Sequence, residues 1–371
     1  MNKISEEWLQ CKLRKIKSFT KYVRPESVLD TVLGTGMEAE KVIKLNQNEN
    51  LFLSRDFLHS LLNEVINEVD LRLYPKEGET ELKDALGKYV GLPSDCVILG
   101  NGSDQIIDLI VRSFLGKGDI AISIKPTYSM YKWSVNHIGV KYFEVPLKED
   151  FSLDVDSILE LAKSNKGICF ICSPNNPTGN QFKLEDVKAI VDSFPGLVLV
   201  DEAYVEFAKD SLVRFVKNYE NLVVTRTFSK AFGLAGLRVG YALSNSEISN
   251  TIFEYAQLPY SLNCIGLKLA LKVLTEIDKF KKSVEELKEE REKLTERLNS
   301  IKDVRAFKSD ANFILFQSLK LYEKVFNELF NKGLLVRKIG KVLNFDGCLR
   351  VTVGLPYMNN RLVEILASIS E

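Results

Sequence analysis

Between about residues 80 and 260 the chain repeats one unit, a short run of β-branched and aliphatic residues followed by a stretch of helical periodicity. The runs are Val97-Ile98-Leu99, Ile120 to Ile124, Ile168 to Cys172, Leu197 to Val200, Leu222 to Thr225 and Val239 to Leu243. A run with no polar alternation reads as a strand buried on both faces, and strands that alternate with helices pair mostly in parallel. The expected frame is therefore α/β, a parallel sheet wrapped by helices. At 371 residues the chain is long enough for two domains, and the composition changes near residue 270. We place a large domain at 46–270, a small C-terminal domain at 271–371, and an N-terminal segment, 1–45, packed on the small domain. Within the small domain, residues 276–299 read as a long charged helix. Its apolar face is Phe280, Val284, Leu287, Leu294 and Leu298, interrupted by Arg291. Ala311 to Phe316 and Leu349 to Val353 read as strands.

Charge and cysteine usage narrow the function classes. Lys plus Arg and Asp plus Glu both total 50, so the basic excess expected of a nucleic-acid binder is absent and small molecules are the expected partners. No apolar run approaches the roughly 18 residues that span a bilayer. The first residues, Met1 to Glu7, are charged and lack the apolar core of a signal peptide. Six cysteines in this length fit reduced thiols, hence a cytoplasmic protein. Cys169 and Cys172 form a C-x-x-C, but within a strand, residues three apart face opposite sides and cannot chelate one ion. With only two histidines, no metal site is expected.

Chemistry is expected where parallel strands end, at their carboxyl edge. Four polar segments fall there. Gly100-Asn101-Gly102-Ser103-Asp104 precedes a helical run; Ser103 is placed to cap that helix, whose free N–H groups suit a phosphate, although such a sequence is more often only a turn. Ser173 to Gly179 follows a buried strand and carries two prolines that restrict its backbone. Asp201-Glu202-Ala203-Tyr204 puts an acid at a buried strand end, which is costly unless it meets a cation or a donor; a helix N-cap is the bland alternative. In Thr227-Phe228-Ser229-Lys230-Ala231-Phe232-Gly233 a lysine sits among small and apolar residues, with Arg238 following. Desolvation and neighbouring cations would lower its pKa and make the amine nucleophilic.

In combination these segments, with Pro126-Thr127-Tyr128-Ser129-Met130-Tyr131, resemble those of the fold-type I pyridoxal-phosphate (PLP) aminotransferases, and within them the histidinol-phosphate aminotransferase family. The resemblance runs from about Val42 to the C-terminus. It implies a mostly parallel seven-stranded sheet in a large domain and a smaller α+β C-terminal domain. It implies PLP held covalently by Lys230, which moves a proton at the substrate, with Asp201 on the pyridine nitrogen. Asn176 and Tyr204 are then expected on the ring oxygen and Tyr128 on the ring face. Gly102, Ser103, Asp104, Thr227, Ser229 and Arg238 are expected around the cofactor phosphate. Tyr74, in Leu73-Tyr74-Pro75, resembles a tyrosine that reaches the phosphate of the neighbouring subunit, so a homodimer with shared sites is implied. Arg350 resembles the arginine that clamps a substrate carboxylate or its equivalent, and Arg337 and Asn48 are further substrate-side candidates. The implied reaction passes an amino group between glutamate and imidazole-acetol phosphate. Another phosphorylated ketone, or decarboxylation of an amino-acid phosphate, would use the same cofactor residues. Three places depart from the family pattern. Gln105 stands where an acid commonly follows Ser-Asp, Leu51 where proline commonly follows Asn-Glu-Asn, and Phe19 to Pro25 matches the usual opening loosely.

Overall fold

The computed structural model describes residues 3–19, 22, 24–75, 78–319 and 322–370; Thr20, Lys21 and Val23 of the opening segment, and Met1 and Asn2 before it, lie outside the described residues. After a two-residue strand, β1 (Ile43–Lys44), come β2 (Val97–Gly100), β3 (Ile120–Lys125), β4 (Lys141–Pro146), β5 (Gly167–Cys172), β6 (Leu197–Asp201), β7 (Leu222–Thr227) and β8 (Gly240–Leu243). β2 to β8 form one seven-stranded sheet in the order β2-β8-β7-β6-β5-β3-β4. Only β8 runs against its neighbours β2 and β7; the β3, β4, β5, β6 and β7 pairings are parallel.

Six of these strands are the apolar runs read from the sequence. The seventh, β4, is Lys-Tyr-Phe-Glu-Val-Pro at the sheet edge, and only Val145 of it is buried. An edge strand that covers one face shows no continuous apolar run, which is why hydrophobicity alone passed over it. The buried strands separate two cores. Cys169 and Ile171 of β5 pack with Val198, Val200 and Val224 on one side, while Phe170 and Cys172 pack with Leu199 and Val223 on the other. The two cysteines thus face opposite sides, as strand periodicity requires.

Beyond helix Cys264–Thr275 runs a 23-residue helix, Ile277–Asn299. β9 (Val304–Ala306), β10 (Phe313–Ser318), β11 (Leu334–Leu335), β12 (Arg337–Val342) and β13 (Phe345–Thr352) follow. Four of them make an antiparallel sheet in the order β12-β13-β10-β9, and β11 pairs in parallel with β1, Ile43 opposite Leu334. β12, Arg-Lys-Ile-Gly-Lys-Val, was not legible as a strand because three cations and a glycine obscure its alternation, and its register shifts around Gly340. Among the described residues no helix is long and apolar enough to cross a membrane.

The long helix buries Phe280, Val284, Leu287, Leu294 and Leu298, the face read from the sequence. Arg291 does not interrupt that face as a surface residue would. It is buried, and its Nη1 donates to the carbonyl oxygen of Ala311 at 3.0 Å, at the entry to β10. The helix therefore holds the small sheet through a directed bond as well as apolar contact. Arg291→Leu restores an unbroken apolar stripe but strips that carbonyl of its donor. We expect it to destabilise the chain by about 1–3 kcal/mol, read as a lowered urea midpoint; an unchanged or raised midpoint would show that the stripe alone matters.

Candidate active site

The carboxyl ends of β2, β3, β5, β6 and β7 open together onto one cavity of ≈ 560 Å³. Its wall carries Ser103, Asp104, Tyr128, Asn176, Asp201, Tyr204, Thr227, Ser229, Lys230 and Arg238 from the large sheet's loops. Asn48 and, from the small sheet, Arg337 and Arg350 complete it. All the sequence-derived site residues meet there except two. Gly102 lies just behind the wall, and Tyr74 is 78% exposed, away from the cavity, with its ring stacked on Tyr260 at 4.6 Å.

Strand alternation decides what each polar group at the end of β6 does. Asp201 points into the cavity side, almost fully buried, and accepts from Tyr131 Oη at 2.7 Å, Ala203 N at 3.1 Å and Thr225 Oγ1 at 3.2 Å. Burial pushes its carboxyl up to about 6, and the hydrogen bonds from Tyr131 and Thr225 oppose the rise. Glu202 points the other way. Its carboxylate takes Arg226 Nη2 at 2.8 Å and Nε at 3.0 Å, Leu212 N at 2.6 Å and Ser211 Oγ at 2.9 Å. These bonds fasten the loop carrying Tyr204 back onto β7. On β7, Thr225 and Thr227 serve the cavity side while Arg226 serves Glu202.

Lys230 follows β7 by three residues, and its Nζ donates to the carbonyl oxygen of Gln47 at 2.9 Å. Desolvation and then the charge of Arg350 pull its pKa down to about 8. The helix Gly102–Phe114 begins at the end of β2, and Asn101 occupies its N-cap position without a side-chain bond. Ser103 is thus not the cap but lies in the first turn, on the cavity wall. Gln105 supplies the local bond instead, its Oε1 accepting from Asn101 N at 2.5 Å. That contact gives the departure from the family pattern at Gln105 a structural use.

Two glycines allow the helix end to sit tightly against Arg238. A Cβ on Gly102, whose φ is +80°, would lie 2.5 Å from Arg238 Nη2, and one on Gly240 would lie 2.4 Å from Ser103 N. Arg238 Nη2 reaches Asp104 Oδ2 at 3.1 Å and its Nη1 reaches Ser229 Oγ at 3.3 Å; Thr227 Oγ1 lies 3.0 Å from Ser229 Oγ. Tyr128 donates to Asp104 Oδ1 at 2.8 Å. A helix N-terminus, two hydroxyls and a guanidinium facing one point make a donor set for a phosphate. With an amine of lowered pKa and a buried carboxylate on the same wall, the residues present fit PLP.

On the small-sheet side, Arg350 donates through Nη1 to Asn176 Oδ1 and through Nη2 to the carbonyl of Asn46 at 3.0 Å. Among the described residues its buried Nε has no hydrogen-bond partner. Arg337 is its cross-strand neighbour. Asn48, with a positive φ of 56°, donates through Nδ2 to Tyr204 Oη at 3.0 Å. Its backbone N–H is held by Thr352 Oγ1 at 2.9 Å. Tyr131 is the site-side residue that sequence reading passed over. Its signal was present, a second tyrosine three residues after Tyr128 within the same segment, but only the fold shows that it meets Asp201.

Fold and cavity together are those of a PLP-type aminotransferase, and the chain belongs to the aminotransferase class I and II family, whose profile matches residues 40–368. More particularly, it is similar to the histidinol-phosphate aminotransferase of Thermoanaerobacter sp. (strain X514), 37% identical over 328 residues, 87% of this chain and 93% of that protein. The crystal structure of histidinol-phosphate aminotransferase from Sinorhizobium meliloti in complex with pyridoxal-5'-phosphate matches with a TM-score of 0.85 at 22% identity over 96% of both chains. L-threonine-O-3-phosphate decarboxylase from Porphyromonas gingivalis matches with a TM-score of 0.77 at 21% identity, over 88% of this chain and 99% of that one. At such identities these two likenesses show the fold.

Arg226 and Glu202 form a pair buried from solvent. Removing one partner leaves the other charge unmatched, so Arg226→Met is expected to cost about 3–5 kcal/mol. Chemical denaturation checks this, and a cost near zero would mean that the Glu202 loop is held by its other bonds alone.

Proposed function

We propose that this aminotransferase uses PLP to exchange an amino group between L-glutamate/2-oxoglutarate and a small phosphorylated substrate, histidinol phosphate/imidazole-acetol phosphate. The observation that carries the reading is the convergence of Lys230, Asp201 and Arg350 on one cavity. Bound PLP supplies an electrophilic carbon for the amino group and a ring that takes up the electron pair released at the substrate Cα.

The chain's residues supply the rest. Lys230 would hold the cofactor and, as a neutral amine, would take up and give back the proton at the substrate Cα. Asp201, ionised, would hold the ring nitrogen in its protonated form. Asn176 and Tyr204 would donate to the ring oxygen, and Tyr128 would lie against the ring face. The N–H groups at Gly102, Ser103 and Asp104, the hydroxyls of Thr227 and Ser229, and Arg238 would take the cofactor phosphate. Arg350 would bind the substrate carboxylate or the group in its place, with Arg337 and Asn48 beside it. Two guanidinium groups on one wall suit the two carboxylates of glutamate and, in the second substrate, a single phosphate dianion.

The reading includes a cytoplasmic homodimer. Tyr74 is exposed beside Tyr260 and near-sequence Leu71 and Leu73, which are 69% and 67% exposed, so a second copy would cover apolar surface and bring Tyr74 to the partner's cofactor phosphate. We further propose domains at 46–270 and 271–371 with residues 1–45 on the small one. The β1–β11 pairing and the packing of helix Val28–Thr35 on helix Tyr322–Asn331 support this.

The deciding experiment follows the visible absorbance of the PLP-loaded protein. Glutamate should bleach it and imidazole-acetol phosphate should restore it, whereas release of CO₂ from an amino-acid phosphate would favour decarboxylation. A wild type that binds no PLP would sink the reading, and Lys230→Ala should lose turnover by at least about 10²–10⁴-fold. Because the amine must be neutral to attack, the rate of PLP attachment should rise with pH through about 8 and level off above it. Arg350→Met removes a cation that lowers this value, so the rise should move to higher pH; an unmoved profile would mean that Arg350 does not act on Lys230. Tyr74→Ala should weaken PLP binding although Tyr74 lies outside its own chain's cavity, and unchanged affinity would argue against shared sites.

A further inference from the structure

Asp201 is held by donors from three different elements. Ala203 N and Thr225 Oγ1 both reach Oδ1, at 3.1 and 3.2 Å. Among the described residues Tyr131 alone reaches Oδ2, at 2.7 Å, from helix Ser129–Ile138. The phenol is fully buried and its ring cannot swing. It stacks on Phe170 of β5 with centroids 5.0 Å apart and planes at 12°, and meets Tyr128 edge-on at 5.7 Å and 84°. A buried hydroxyl needs a partner, and a buried carboxylate needs donors. Here each satisfies the other.

The position of Tyr131 also links the two ends of the cavity. Tyr128, just before the helix, binds Asp104, which binds Arg238 on the phosphate side. Tyr131, one turn later, binds Asp201. We infer that Tyr131 is a positioning residue of this site: its hydroxyl fixes the Asp201 carboxylate in the ionised form and in the orientation that meets the cofactor's ring nitrogen. The inference rests on the proposed function and adds to it a residue outside the cavity wall. The other titratable groups that face Asp201 are Cys172 on β5, Asp104 and Tyr204. The Cys172 thiol donates to the Pro174 carbonyl, Asp104 is taken by Arg238 and Tyr128, and Tyr204 accepts from Asn48.

The test is PLP affinity of the full chain, measured by absorbance titration as a function of pH, for wild type, Tyr131→Phe, Asp201→Asn and the double variant. Tyr131→Phe keeps the ring on Phe170 and removes one hydrogen bond to a charged acceptor. Affinity should fall by about ten- to a hundredfold. Without that donor the carboxyl takes up its proton at higher pH, so the acid limb of the binding curve should move upward. In the Asp201→Asn background the same change should cost little further, since the two residues act as one unit. Equal losses in both backgrounds, or a pH curve superimposable on wild type, would reduce Tyr131 to a packing residue. Should Tyr131→Phe fail to fold, Thr225→Val offers the second arm: loss of the longer bond should move the acid limb the same way by less, and no movement would overturn the view that donors to Asp201 set its ionisation. A wild type that binds no PLP overturns the function and this inference together; a wild type that binds beside an unaffected Tyr131→Phe overturns this inference alone.

Discussion

A strand buried on both faces can place a polar side chain only at its ends, and parallel pairing brings equivalent ends to one edge. In this chain β5, β6 and β7 are apolar up to Cys172, Val200 and Val224, and β6 and β7 end in buried polar residues at their carboxyl ends. Pairing places Cys172 opposite Asp201 and Asp201 opposite Thr225. The cavity is thus a consequence of strand register. A slip of one residue on β6 would turn Asp201 toward Arg226 and put Glu202 in its place.

The same alternation gives the two neighbouring acids opposite tasks. Glu202 is neutralised by a guanidinium and fastens a loop, whereas Asp201 is held by neutral donors and its pKa is raised by burial. Lys230 experiences the same desolvation with the opposite sign, which lowers its pKa. An amine that is easily made neutral and a carboxyl that needs donors to stay ionised thus face one space. That divergence is the pattern expected of groups tuned for chemistry.

The small sheet completes the cavity through few but directed bonds. Arg350 crosses to Asn176 and Asn46, Asn312 Nδ2 donates to the Asn48 carbonyl at 2.9 Å, and Arg291 holds the entry to β10. Asn50 Nδ2 reaches both Ala231 O at 2.7 Å and Ser283 Oγ at 3.1 Å, which joins the segment after Lys230 to the long helix. Apolar packing fixes that the two parts adhere. These bonds fix where the arginines stand relative to the lysine.

The sequence by itself determined the parts whose cause is local. Continuous apolar runs specify central strands, a five-residue apolar row specifies the buried face of Ile277–Asn299, and the order of the polar segments specifies the family. It left β4 and β12 unread, because an edge strand and a cationic strand lack the alternation on which such reading depends, and β1, β9 and β11 unread because two or three residues are too few to show it. Only the tertiary structure decided the contacts between residues far apart in the chain. It put Asn101 rather than Ser103 at the helix N-cap, turned Arg291 from an interruption into an anchor, and set Tyr131 against Asp201 across 70 residues of chain. The physical reason is that burial and hydrogen bonding depend on distance in space. Sequence periodicity reports the face on which a side chain lies, and only packing reports what it meets there.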